Sequence, residues 1–264
     1  AHCQPLVHCW RGGQRSHAMA TILDQVGWPV TVLEGGYRTW RRSVVANLYA
    51  TPLPHRLVLI DGPTGVGKTA LLGRLSERGV QTLDLEGLAN HRGSLFGAMA
   101  GGQPPQKLFE SRLHAALARL DPERPTAVEA ESSKVGARVL PPRLWGAAPV
   151  IEVTAPLDVR IDHILTDYAD IGADAAALDR ALTRLPRHHA KSAITEWRAL
   201  AASGELRPLV KALIEQHYDP AYARSRRARD GRVVATLASD ACDGDGRDVL
   251  AEIEAQLSRT DDDG

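Results

Sequence analysis

The stretch GPTGVGKT, Gly62 to Thr69, follows directly on the apolar run RLVLID (56–61), and nothing else in the chain restricts the fold as tightly. It satisfies G-x-x-x-x-G-K-[ST] in full. Gly62, Gly65 and Gly67 let the backbone wrap so that successive N–H groups converge as an anion nest, and a helix starting there adds its positive end. Lys68 brings a cation to the bound phosphate, and the Thr69 hydroxyl can hold Mg²⁺. A strand before the motif and a helix after it, to about Arg78, are the context it needs. The reading is therefore a P-loop NTPase-like parallel α/β sheet; a glycine-rich turn without a ligand is the alternative for the pattern alone.

Further buried strands are expected at VQTLDL (80–85), PTAVEAE (125–131) and PVIEVT (149–154), with an amphipathic helix over 105–120. PLDVRIDHILTDY reads as a helix with Pro156 in its first turn. From about Ala173 to His217 the pattern is helical, broken at Gly204; RVVATLA (232–238) is a late strand, 247–258 a last helix, and TDDDG a frayed tail. Before the P-loop, PLVHC reads as a strand, Ser16–Val26 as a helix, VTVL (30–33) as a strand, EGGY as a turn and Tyr37–Leu48 as a helix. TPLPHR carries two prolines in six residues and reads as a connection. The expected organisation is thus 1–50, a linker at 51–55, an α/β unit at 56–172 and a helical region at 173–264.

A P-loop announces a di- or triphosphate without saying what is done with it. Asp84 and Glu86, and Glu129 and Glu131, follow strands where metal- or base-bearing carboxylates sit; loop caps and surface charges are the competing reading. His91 and Arg92, beside Gly93 in NHRGS, can meet a phosphate or substrate, or form an ordinary exposed turn.

A second feature lies near the start, in HCWRGGQRSHAMA (8–20). A thiol attacks only as thiolate, so Cys9 needs something that stabilises negative charge. A loop over residues 10–15, loosened by Gly12 and Gly13, can turn its N–H groups onto the sulfur. The helix from Ser16 aims its positive end there, and Arg11 and Arg15 add charge. A buried inert thiol is the competing reading.

Formal net charge is zero, so attraction to nucleic acid has to come from local basic patches. Three cysteines, Cys3, Cys9 and Cys242, are too few and scattered for a disulfide framework or a four-ligand zinc site, which favours a reducing, cytoplasmic setting. No apolar run approaches a membrane span, so no membrane partner is expected. Residue 1 is alanine, which fits either a trimmed N-terminus or removal of an initiator methionine.

CWRGGQRS resembles the active-site loop of rhodanese-type sulfurtransferases, and VTVLEGGYRTWRR the segment that closes such domains. A rhodanese tail running into a P-loop unit resembles bacterial tRNA 2-selenouridine synthase. So do DLEGLANHRGSLFG (84–97), VEAESSKVG (128–136) and HYDPAYARS (217–225), so that the resemblance covers nearly the whole chain. It implies the C-terminal part of a rhodanese-like domain, N-terminally incomplete because eight residues precede Cys9, and His8 stands where an aromatic residue is expected.

The resemblance further implies a substrate, the wobble uridine of tRNAs already carrying sulfur at position 2. It implies geranylation of that sulfur with geranyl diphosphate, then replacement of the S-geranyl group by selenium from selenophosphate. The P-loop, with Lys68, would then hold the leaving diphosphate, and Cys9 would serve the selenium step. A selenophosphate-supplying enzyme is a possible partner. For tRNA, Arg180, Arg184, Arg187 and Lys191 are spaced to form one helical stripe, and Arg224, Arg226, Arg227 and Arg229 form a denser cluster; a solvated charged face is the alternative. Two other functions stay open: a P-loop small-molecule kinase, and a non-catalytic tRNA- or nucleotide-binding module.

Overall fold

The computed structural model describes residues 3–11, 13–130, 133–144, 148–172, 174–185, 189–227, 232–238 and 249–262. Strand β1 (Leu6–Val7), helix α1 (Gln14–Gln25) and strand β2 (Thr31–Val32) form one crossover with the two strands parallel. Helix α2 (Tyr37–Val45) continues as a π-helical turn over Ala46–Ala50. The helix expected to Leu48 thus runs on to Ala50 with a wider last turn, and Leu48 and Tyr49 lie against the neighbouring core.

The chain then runs through β3 (Leu57–Asp61), α3 (Lys68–Glu77), β4 (Gln81–Leu83), α4 (Leu85–Ala89), α5 (Gln106–Leu117) and β5 (Thr126–Glu129). A short antiparallel pair, β6 (Lys134–Val135) and β7 (Arg138–Val139), precedes β8 (Val150–Thr154). Helices α6 (Leu157–Asp167), α7 (Ala169–Gly172), α8 (Ala175–Leu182), α9 (Lys191–Ser203) and α10 (Leu206–Leu213) follow. A second π-helical turn, Ile214–Tyr218, leads into α11 (Asp219–Arg227), then β9 (Val233–Ala238) and α12 (Val249–Asp262).

Five strands form one parallel sheet in the order β4-β5-β3-β8-β9. The chain leaves the central β3 to one side, returns to β5 and then crosses to β8. The C-terminal end of β3 is therefore the switch point at which such sheets bind ligands, and GPTGVGKT starts there. Side chains alternate across β3. Leu57 and Leu59 enter a core with Leu83, Val128, Phe109 and Leu113, whereas Val58 and Ile60 face Leu71, Leu75, Ile151 and Ile253.

Two features redraw the expected organisation. Val44 and Leu48 lie in the first of these cores, and α2 is tied to α5 by the Arg41–Glu110 ion pair and by the Tyr49 hydroxyl donating to Glu110 at 2.9 Å. At the other end, β9 pairs with β8 as the fifth strand, and α12 packs Leu250, Ile253 and Leu257 into the core of α3. Residues on both sides of the expected boundaries near 50 and 172 thus share cores with the sheet.

The helices between are a third core built on Leu178, Leu182, Trp197, Leu209 and Leu213, with Phe96 joining from the loop after α4. Gly204 ends α9 in the left-handed conformation at φ 74°, the break the sequence suggested. Pro156 stands one place earlier than expected, as the residue before the first turn of α6. The tail is helical to Asp262 rather than frayed from Thr260. No helix among the described residues is long and apolar enough to cross a membrane.

Phe109 is fully buried between α5 and the sheet. Phe109→Ala is expected to lower the unfolding free energy by about 3–5 kcal/mol, measured by urea denaturation.

Candidate active site

The phosphate loop is shaped from behind. Arg160 on α6 donates through Nε to the Thr64 carbonyl at 2.9 Å, and His163 one turn on donates through Nδ1 to the Gly65 carbonyl at 3.0 Å. With the Thr64 carbonyl turned toward α6, the Gly65 N–H of the same planar unit points the opposite way, while the Val66 N–H of the next unit turns back to the Pro63 carbonyl at 3.4 Å. Gly65 has φ 89°, and a Cβ there would lie 2.7 Å from the Arg160 carbonyl, so only glycine allows this approach. Arg160 is itself buried and forked onto Asp219 at the start of α11.

In front of the loop lies a cleft of about 760 Å³ lined by Lys68, Thr69, Asp61, Glu86, Arg92 and Tyr222 among others. Lys68 Nζ donates to the Gly62 carbonyl at 2.8 Å, and the Thr69 hydroxyl to Glu86 at 3.2 Å. Asp61, at the end of β3, accepts the Gly62 N–H at 2.8 Å. Among the described residues no three His, Cys, Asp or Glu side chains gather as a metal cluster. A hydroxyl and one carboxylate beside a phosphate nest suit Mg²⁺, which keeps several waters and takes its remaining ligands from substrate phosphates; Thr69 and Glu86 are the residues that would hold it.

Arg92 lines the cleft as expected, but it is engaged. It forks onto Asp170 with two bonds of 2.9 Å, donates to the Asp167 carbonyl at 2.9 Å and lies 5.1 Å from the Tyr168 ring centre. Asp170 in turn holds the guanidinium charged, and Arg92 holds the Asp170 carboxyl below the usual carboxylate range. The Tyr168 hydroxyl donates to the Arg92 carbonyl at 3.2 Å and shares a 2.8 Å bond with Ser94. Burial pushes the Tyr168 phenol up to about 12, and it raises those of Tyr218 and Tyr222 as well. All three phenols stay neutral at physiological pH.

Two expected ligands lie elsewhere. Asp84 caps α4, accepting the Gly87 N–H at 2.7 Å, and does not line the cleft; Glu86 two residues on occupies that place. His91 is buried with its ring against Gly97 and Gly136, and burial lowers its pKa. Glu129 is fully buried at the end of β5, and Glu131 lies outside the described residues. Asp61, Arg160, His163 and Tyr168 were missed; only the carboxylate just before the loop left a local trace.

The cysteine loop has its own geometry. The Gly13 N–H donates to Cys9 Sγ at 3.1 Å, and the thiol points to the Arg11 carbonyl at 3.0 Å, with the residue only 7% exposed. Helix α1 starts immediately after Gly13, so its positive end faces the sulfur. The Cys9 pKa is lowered, chiefly by the Ser16 hydroxyl; burial opposes this, and the backbone of Gly13, Ser16 and Arg11 adds to it. The guanidinium groups of Arg11 and Arg15 are not among these causes, and both residues are exposed. Gly36, at φ 60°, closes the far side, where a Cβ would lie 2.2 Å from the Cys9 carbonyl. Gly12 lies outside the described residues, and none of the loop's described residues lines the phosphate cleft.

The basic stripe does not form on one helix. Arg180 is on α8 beside Asp174, the exposed Arg184 follows the end of that helix, and Lys191 begins α9. Arg187 lies outside the described residues, and the proline at 186 lacks the N–H that would continue a helix. On α11, Arg224 is exposed, whereas Arg226 pairs with the buried Glu152 at 2.8 Å. The Arg227 side chain and all of Arg229, like Cys242 and His188, lie outside what the structure describes.

A parallel sheet with a phosphate loop at its switch point and an acidic residue facing the loop threonine defines a P-loop α/β protein. A profile of the tRNA 2-selenouridine synthase AAA domain matches residues 55–181. The tRNA 2-selenouridine synthase of Verminephrobacter eiseniae is 34% identical, over 97% of this chain and 76% of its own length. That of Hahella chejuensis is also 34% identical, over 88% of this chain and 68% of its own. The chain belongs to the tRNA 2-selenouridine synthase family. Among solved structures, TT1252 from Thermus thermophilus aligns with 78% of this chain and 97% of its own at 15% identity and a TM-score of 0.33, a likeness too loose to bear on function.

Alkylation of the Cys9 peptide by iodoacetamide, followed by mass spectrometry across pH, is expected to inflect below the ordinary thiol value. Ser16→Ala should move that inflection upward, because the largest contributor to the lowered pKa is gone.

Proposed function

We propose that this chain acts as a tRNA 2-selenouridine synthase, a transferase that works on tRNA and takes selenium from a selenophosphate-type donor. The observation that carries the reading is the phosphate nest with Lys68 and Thr69 at its mouth, in a chain whose family likeness runs over 97% of its length.

The proposed chemistry has two stages. In the first, the sulfur of a 2-thiouridine at the tRNA wobble position attacks the first carbon of geranyl diphosphate. A carbon–sulfur bond forms, the carbon–oxygen bond breaks, the electron pair leaves with the diphosphate, and the base gives up its N3 proton to solvent. Charge grows on that leaving group, where the N–H groups of a loop held from behind by Arg160 and His163, together with Lys68, are worth most. Mg²⁺ held by Thr69 and Glu86 would supply further charge. In the second stage, the selenium of selenophosphate attacks C2 of the base, water cleaves the phosphorus–selenium bond to release phosphate, and the S-geranyl group departs as geranyl thiol, a far better leaving group than sulfide.

Cys9, by its resemblance to the loop of rhodanese-type enzymes and its lowered pKa, is assigned to the selenium step as a thiolate, with no sulfur–selenium bond formed. Arg11 and Arg15 are then anion contacts at the mouth of that loop. Arg184, Lys191 and Arg224, exposed on the helical layer, are phosphate contacts for tRNA.

The test supplies 2-thiouridine tRNA, geranyl diphosphate and selenophosphate and follows the modified nucleoside by mass. Lys68→Ala is expected to lower geranylation at least about 100-fold, the scale of losing one transition-state donor. Cys9→Ala should retain geranylation and impair selenation. Equal loss of both steps in the Cys9 variant would sink this division of labour. Consumption of ATP with no change in the nucleoside would replace the reading by a kinase.

A further inference from the structure

Tryptophan is mostly covered in folded proteins, yet Trp10, the residue after Cys9, is 56% exposed. One of its faces is occupied. The Tyr37 ring lies nearly parallel to it, with centres 4.6 Å apart and planes inclined by 11°. Trp40, three residues on along α2, leans against Tyr37 at 5.4 Å and 42°. An indole stacked on one side and still more than half exposed has its other face open. These rings are tied to the thiol loop through backbone: the Tyr37 N–H donates to the Cys9 carbonyl at 2.9 Å, across the approach that Gly36 permits. Consecutive Cα atoms are about 3.8 Å apart, so a group stacked on Trp10 is held beside Cys9.

The surrounding charge narrows what that group is. Residues 8–45 carry five arginines against Asp24 and Glu34, in a chain whose formal net charge is zero. Arg41 is spent on Glu110, whereas Arg11, Arg15, Arg38 and Arg42 are exposed. An open flat ring among guanidinium groups suits a polyanion that carries flat rings of its own. A base inside a duplex already has both faces covered; an unpaired loop base has lost part of its stacking and regains it on an aromatic side chain. The exposed Met19, Ile22 and Val26 of α1 would suit an apolar partner, but that stripe holds neither an aromatic ring nor a charge. We infer that the Trp10–Tyr37 stack is a platform for one unpaired base of the tRNA anticodon loop, with Arg11 and Arg38 meeting the flanking phosphates. The inference rests on the reading that tRNA is the substrate.

The test titrates the whole chain with a labelled anticodon stem–loop RNA and with a fully paired RNA duplex of equal length, following anisotropy and indole fluorescence. The stem–loop is expected to quench part of the emission, and Trp10→Phe should remove that quench while the RNA still binds. Trp10→Ala should weaken the stem–loop about tenfold and leave the duplex unchanged, with Trp10→Tyr restoring most of the loss. Arg11→Ala and Arg38→Ala should weaken both RNAs and each lower the salt slope by about one. The quench is read on a chain without the alanine substitution, so the idea stays testable if that variant fails to fold. Stem–loop affinity unmoved by Trp10→Ala, or lowered equally with that of the duplex, would overturn the platform and leave the tRNA reading standing. Binding of neither RNA, nor of whole tRNA, would overturn the tRNA reading itself. A concentration-dependent dimer that Trp10→Ala dissolves, with RNA affinity unmoved, would assign the rings to a second copy of the chain instead.

Discussion

One buried guanidinium holds the functional half of this protein together. Arg160 reaches from α6 to the Thr64 carbonyl on one side and forks onto Asp219 on the other. A buried cation is tolerated only when its charge and its N–H groups are all met, and losing one partner leaves the other stranded. The phosphate loop, the helix behind it and the start of α11 are therefore positioned as a unit. Because α11 carries Tyr222 and Ser225 into the cleft, the same contact relates the anion nest to the helical layer that closes it.

That arrangement separates three chemical environments in one region. The nest offers N–H groups and Lys68 to anionic oxygen. Beside it stand the phenols of Tyr168 and Tyr218, which burial keeps neutral. Both also border a small apolar cavity. The cysteine loop, by contrast, has its own helix terminus and its own serine, and none of its described residues lines this cleft. The proposed two-stage chemistry uses that division, assigning the nest to one stage and Cys9 to the other.

Local sequence signals were legible where a short motif dictates its own geometry. GPTGVGKT specified strand, nest and helix, and CWRGGQRS specified a sulfur under backbone N–H groups. Both follow from glycine dihedrals and helix ends acting over a few residues. The misreadings share the opposite cause. Asp84 and Glu86 are two residues apart and equally acidic, and only the start of α4 decides that one caps the helix while the other faces Thr69. His91 looked like an exposed ligand in NHRGS, yet the packing of Gly97 and Gly136 around its ring buries it. The basic stripe needed one continuous helix, and the chain turns between α8 and α9.

By itself, then, the sequence determined a P-loop α/β sheet, a cysteine in a glycine loop at a helix start and a family likeness running through both, because each depends on contacts between near neighbours. Tertiary structure decided the rest. It brought β9, nearly eighty residues after β8, into the same sheet. It set Arg160 and His163 behind a loop about a hundred residues earlier. It also opened an apolar pocket between helices whose leucines and valines read, one by one, as ordinary core. No periodicity distinguishes a hydrophobic side chain that fills a core from one that lines a cavity; only the packing of the surrounding helices does.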